Sequence, residues 1–151
     1  MNAGEVCKQN VVTIREFDQL SAAAKLMREH HVGYLIVVEP TPVDVRVKPI
    51  GVLTDRDIVV GVLARDADIR TLRVGDVMTR QPGVVDEEKS MAFALREMRR
   101  IGVRRLPVVG SAGYLVGVLS LDDVIDVLAK ELVGVWSSIG NELRTEAELR
   151  P

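Results

Sequence analysis

The chain is written twice, and that repetition restricts its fold more than any other feature. Gly4-Glu5-Val6-Cys7 returns as Gly75-Asp76-Val77-Met78, an offset of 71 (75 minus 4). The same offset carries Leu20, Ala23, Ala24 and Met27 onto Met91, Ala94, Leu95 and Met98. Both sets recur at i, i+3, i+4 and i+7, the spacing that lines one helix face with apolar groups. Val32 to Val38 falls on Val103 to Val109, two apolar, valine-rich runs short enough to be buried strands. Beyond them the offset drops to 66 (117 minus 51), where Gly51-Val52-Leu53-Thr54 meets Gly117-Val118-Leu119-Ser120. The first copy therefore holds five more residues between its strands, in the turn-rich stretch Glu39 to Pro49, which predicts a longer hairpin loop.

Each copy reads as a short strand (Val11 to Ile14; Gly83 to Val85), a helix, two strands and a second helix (Asp55 to Ala64; Leu121 to Leu132). The order is β-α-β-β-α, which predicts an α/β fold with helices layered on sheet. Neither unit alone has much core, so the two are expected to pack on each other. Residues 4–70 form the first unit and 71–132 the second. Asp66 to Val74 connects them, and 133–151 is a tail, helical or frayed. With 151 residues and 47% hydrophobic content, the chain fills one compact module or two packed halves, not large separate domains.

Charge and chemistry exclude several classes of function. Twenty Lys and Arg stand against 22 Asp and Glu, a net charge of -2 that supplies no general field for nucleic acid or an anionic membrane. No apolar run reaches the roughly 20 residues of a membrane helix. Cys7 is the only cysteine, so no internal disulfide forms, and the N-terminus lacks a basic-then-apolar secretory pattern. These features predict a cytoplasmic protein. Cys7 takes the place of Met78 in the repeat and reads as a small buried hydrophobe, not a reactive thiol. His30 and His31 are adjacent, point apart on a helix end and have no ligand cluster at metal spacing; they read as helix C-terminal residues. Trp136, in the tail, is a candidate anchor for a dimer or partner contact. No nucleophile with its base, metal cluster or phosphate-cradling glycine loop stands at recognisable spacing, so the chain reads as a binding module and not an enzyme.

The sharpest local signal is Gly51-Val52-Leu53-Thr54-Asp55-Arg56-Asp57, echoed by Gly117-Val118-Leu119-Ser120-Leu121-Asp122-Asp123. Thr54 and Ser120 are natural N-caps, with Asp57 and Asp123 at the third helical position of a capping box. A capping box, however, makes no demand for glycine and two apolar residues upstream in both copies. Capping and ligand binding both remain open for these residues.

Thr54-Asp55-Arg56-Asp57, Ser120-Leu121-Asp122-Asp123 and Arg105-Leu106-Pro107-Val108-Val109 resemble the tandem CBS (cystathionine β-synthase) domain family, from about Gly4 to Leu132. The resemblance implies two units packed about a pseudo-twofold axis, with adenine nucleotides or related ligands in clefts between them. It implies that Thr54 with Asp57, and Ser120 with Asp123, hold ribose hydroxyls in two separate clefts. A carboxylate at a helix start can accept both hydroxyls of a ribose, and the helix N-terminus favours a phosphate nearby. Val12, Thr13, Gly33, Tyr34, Leu35 and Ile36 are expected to wall the adenine in one cleft; Val84, Val85, Arg104, Leu106 and Pro107 in the other. The copies differ in one respect. Arg104-Arg105, which the resemblance assigns to phosphate, replace Gly33-Tyr34, and Arg56 is a further candidate. One strong site and one weak or altered site are therefore expected.

AMP, ADP, ATP or S-adenosylmethionine is the regulatory ligand this implies, with no cofactor required. The expected partners are a second copy, in a flat homodimer covering Asp55 to Ala64 and Leu121 to Leu132, and a target protein. Signalling then works by population shift between two packings. The alternative is a structural or interaction protein that acts only by dimerising or docking.

Overall fold

Both sequence copies build the same framework, the second with one additional two-residue strand, in the computed structural model, which describes residues 1–40, 42 and 46–150. The first comprises α1 (Ala3–Val6), β1 (Thr13–Arg15), α2 (Leu20–His30), β2 (Tyr34–Val38), β3 (Pro49–Thr54) and α3 (Asp55–Gly61). The second comprises α4 (Val74–Val77), β4 (Thr79–Arg80), β5 (Val85–Asp86), α5 (Met91–Ile101), β6 (Arg105–Val109), β7 (Leu115–Ser120) and α6 (Leu121–Leu149). The expected α/β class and element order are present. The hairpin loop expected over Glu39 to Pro49 lies partly outside the described residues.

The apolar faces read from the sequence are the buried ones: Leu20, Ala23 and Met27 on α2, Ala94 and Met98 on α5. Both helices stop at the same repeat position, on a left-handed residue whose N–H bonds back to a methionine carbonyl. His31 (φ 53°) returns to Met27, and Gly102 (φ 72°) to Met98. The two sheets also match. β1 runs parallel to β2 and β2 antiparallel to β3, with β5, β6 and β7 paired alike, and both hairpins shift register at the same place, Val37/Val38 and Val108/Val109.

Two features depart from the sequence reading. α6 does not end near Leu132 but runs 29 residues through Gly134 and Gly140, so of the two states expected for the tail, helical or frayed, it takes the helical one as a continuation of α6. The other departure is an exchange between the copies. β4 pairs antiparallel with β3 of the first unit, and Lys8 makes the equivalent bridge to Val118 of the second, with N···O distances of 2.9 Å both ways. The short helices follow their strands. Ala3 of α1 is fully buried in the second core with Val85, Met98, Leu106 and Leu119, while Val74 of α4 is fully buried in the first with Leu20, Leu35 and Leu53. Each sequence copy thus begins with a segment that completes the other copy's sheet and core.

The glycines of the two motifs make this close crossing possible. A Cβ on Gly117 would lie 2.6 Å from the Lys8 carbonyl oxygen, and one on Gly51 would lie 3.0 Å from that of Thr79. Only a residue without a side chain lets the exchanged strand approach that near.

Candidate functional site

β3 enters α3, and β7 enters α6, without an intervening turn, so Thr54 and Ser120 each end a strand and cap a helix. Thr54 Oγ1 accepts from the Asp57 N–H (3.1 Å), and Asp57 Oδ2 accepts from the Thr54 N–H (2.8 Å). Ser120 and Asp123 repeat both bonds, at 3.1 Å and 3.1 Å. Both capping boxes exist; what differs is what else each carboxylate holds. Asp57 is half-buried, and its Oδ1 has no partner among the described residues. Asp123 is 9% exposed and fully engaged: Oδ2 also accepts from Ser120 Oγ (2.5 Å), and Oδ1 holds Lys8 Nζ at 2.7 Å. Burial alone would raise the Asp123 carboxyl, but the bonds from Lys8 and Ser120 outweigh it and hold it below its ordinary range. The same contact pushes the Lys8 ammonium upward.

Each motif borders a cleft completed by the opposite unit. The larger, 670 Å³, sets Thr54, Arg56 and Asp57 against Thr79, Gln81, Pro82, Gly83, Ile101, Arg104 and Arg105. The smaller, 270 Å³, sets Ser120, Asp122 and Asp123 against Lys8, Asn10, Val11, Val12, His31 and Gly33. The linings correspond position by position under the repeat: Lys8 stands for Thr79, Val12 for Gly83, Gly33 for Arg104, and Asp122 for Arg56. Charge therefore divides unequally. Arg56, Arg104 and Arg105 all face the larger cleft, whereas the smaller has acidic Asp122 where the larger has Arg56. Tyr34 and Arg105 stand between the two clefts and line both, the guanidinium 5.7 Å from the ring centroid. Burial raises the Tyr34 phenol, which stays un-ionised.

The structure thus brings together Thr54, Asp57, Arg56, Tyr34, Arg104 and Arg105 at one cleft, and Ser120, Asp123 and Val12 at the other. It does not bring the remaining candidates to either. Thr13 is exposed on β1 beside a separate depression with Arg15 and Asp18, Val84 is exposed outside both clefts, and Pro107 is buried in β6. Leu35 and Ile36 are fully buried and Val85 is 1% exposed, so they belong to the interior and not to a cleft wall. Sequence reasoning missed Lys8, Thr79, Gln81, Pro82, Gly83 and Ile101. The repeat held the signal for Lys8, because a basic residue faces Thr79 across the offset of 71.

Cys7 packs at the edge of the second core, where burial first, then Glu87, push its thiol upward. That thiol is a poor nucleophile.

The model of the CBS domain matches the chain twice, over residues 3–63 and 74–130. The chain belongs to the CBS domain family. Hypoxic response protein 1 of Mycobacterium tuberculosis is 37% identical over 124 residues, 82% of this chain and 78% of that one. The hexameric CBS-CP12 protein from bloom-forming cyanobacteria superposes with a TM-score of 0.70 at 34% identity, over 83% of this chain and 66% of the other. The CBS domain protein PAE2072 from Pyrobaculum aerophilum, solved with AMP, superposes at 0.71 and 26% identity, over 82% and 89%. Some relatives are longer: this CBS pair spans 62% of one curated relative and 22% of another. No helix among the described residues is long and apolar enough to cross a membrane.

Proposed function

We propose that this CBS pair is a regulatory module, not an enzyme, that takes a phosphate-bearing adenosine nucleotide in the larger cleft. The observation that carries the reading is the joint presence there of an open carboxylate oxygen on Asp57 and three guanidinium groups, Arg56, Arg104 and Arg105. Vicinal hydroxyls are donors matched to the first, and phosphate oxygens are acceptors matched to the second. Ile101, Pro82 and Val52, each part-exposed, supply apolar surface for a base. The AMP bound to the Pyrobaculum relative is a ligand of this class. S-adenosylmethionine fits less well than AMP, ADP or ATP, because its sulfonium cation would meet the same arginines. A ligand seated between the units biases their relative packing to the extent that it prefers one arrangement. The lone Cys7 thiol is at home in a reducing cytoplasm.

Melting the protein with each of the four ligands tests this. The midpoint is expected to rise with AMP, ADP or ATP, because a ligand that binds only the folded state stabilises it. Asp57→Asn keeps an acceptor for the cap but removes the charge facing the diol. It is expected to weaken nucleotide binding about tenfold or more. No shift with any nucleotide would leave the interaction-protein reading.

One observation favours self-association under either reading. Val59, Leu63, Ile125, Leu128 and Leu132 are all exposed on or just beyond α3 and along α6, and the hexameric relative assembles. A homodimer covering these residues is expected to sediment at twice the 16.6 kDa chain mass, and Leu128→Glu to return it to the monomer. Leu128→Glu with unchanged mass would place the interface elsewhere.

A further inference from the structure

We infer that the two clefts are not two copies of one site: Lys8 is a built-in occupant of the Ser120–Asp123 cleft, and its ammonium keeps a ribose from docking there. The inference rests on the nucleotide reading of the larger cleft. In that cleft Asp57 has an oxygen to offer. In the smaller one both oxygens of the corresponding Asp123 are committed, Oδ2 to Ser120 and Oδ1 to Lys8 Nζ at 2.7 Å. A diol entering there would have to displace a charged donor and replace it with a neutral one, which exchanges a stronger hydrogen bond for a weaker one. Nor would the phosphates repay the exchange: of the three guanidinium groups at the larger cleft only Arg105 also lines this one, acidic Asp122 stands where the other has Arg56, and Gly33 stands in place of Arg104.

The placement of Lys8 follows from the exchange of strands. Its backbone is fixed to Val118 by two 2.9 Å hydrogen bonds, two residues before Ser120 along β7. From there its side chain reaches the carboxylate. The equivalent residue of the larger cleft, Thr79, has no such reach and no charge. The chain thus engages the carboxylate of one of its two clefts with a residue from the other copy's leading segment, and one nucleotide binds per chain.

Titration calorimetry with ATP on the full chain tests this. Wild type is expected to bind one ATP, and Lys8→Thr, which installs the residue of the equivalent position, is expected to bind two. Asp123→Asn added to Lys8→Thr is expected to return the count to one. Two sites in wild type, or a single site in Lys8→Thr, would overturn the inference. Lys8 lines only the smaller cleft, so affinity at the first site serves as the control. A readout without nucleotide is amine acetylation followed by peptide mass spectrometry. Lys8 is expected to label several-fold faster in Asp123→Asn than in wild type. If ATP binds neither protein the nucleotide reading fails, and the Lys8 contact stands or falls on the labelling rates, equal rates removing it.

Discussion

Gly117→Ala is expected to destabilise the protein by about 1–3 kcal/mol, as overpacking of a filled interior does. The added methyl would sit 2.6 Å from the Lys8 carbonyl oxygen and 2.7 Å from Cys7 Sγ. The first neighbour is backbone and cannot rotate aside. Relief requires the Lys8 segment to lift from β7, which breaks its paired hydrogen bonds to Val118 and draws Ala3 away from the second core. Gly51→Ala meets Met78 Sδ at 2.7 Å and the Thr79 carbonyl at 3.0 Å. A thioether can swing away, so the first-unit substitution is expected to cost less. Urea denaturation of the two variants ranks them; equal costs would mean that the exchanged segment yields without loss.

Residues 71–132 alone, the second unit as the repeat bounds it, are expected to be unfolded in water. A fragment of that length buries only about 60% of the surface its unfolded chain exposes and is marginal before any contact is lost. This one also loses α1, whose Ala3 is fully buried against Val85, Met98, Leu106 and Leu119. At its own start it carries α4 and β4, whose partners Leu20, Leu35 and β3 remain behind. Both effects act in the same direction, and the missing core contacts are worth several kcal/mol against a total stability of about 5–15 kcal/mol. Circular dichroism and amide-proton dispersion measure the outcome. A cooperative melt from the isolated fragment would show that the exchange is dispensable.

Much of the molecule was legible in the sequence because apolar periodicity is a local signal. The buried faces of α2 and α5, the two hairpins and the strand-to-helix junctions at Thr54 and Ser120 sit where spacing and repeat put them. Asp57 and Asp123 form the capping boxes that their position three residues beyond Thr54 and Ser120 implies. Strand assignments were poorer for cleft walls. Leu35, Ile36, Val85 and Pro107 have the composition of a wall, but all four are buried, Leu35 in the first core and Val85 in the second, and burial depends on what lies across the sheet.

The sequence by itself determined the unit, its duplication and the unequal share of arginine between the copies, since each is a property of residues read in order. Only the tertiary structure decided how the copies combine. Lys8 and Thr79 lie 71 positions apart and far from the motifs they border, and no spacing rule reports that each leading strand crosses to the other sheet. That crossing puts Arg104 and Arg105 opposite Thr54 and Asp57, and Lys8 onto Asp123. Two motifs that share their glycine, their two apolar residues and their final aspartate therefore end in different electrostatic surroundings. A carboxylate's freedom to bind depends on which charges reach it through space, and chain folding sets those distances.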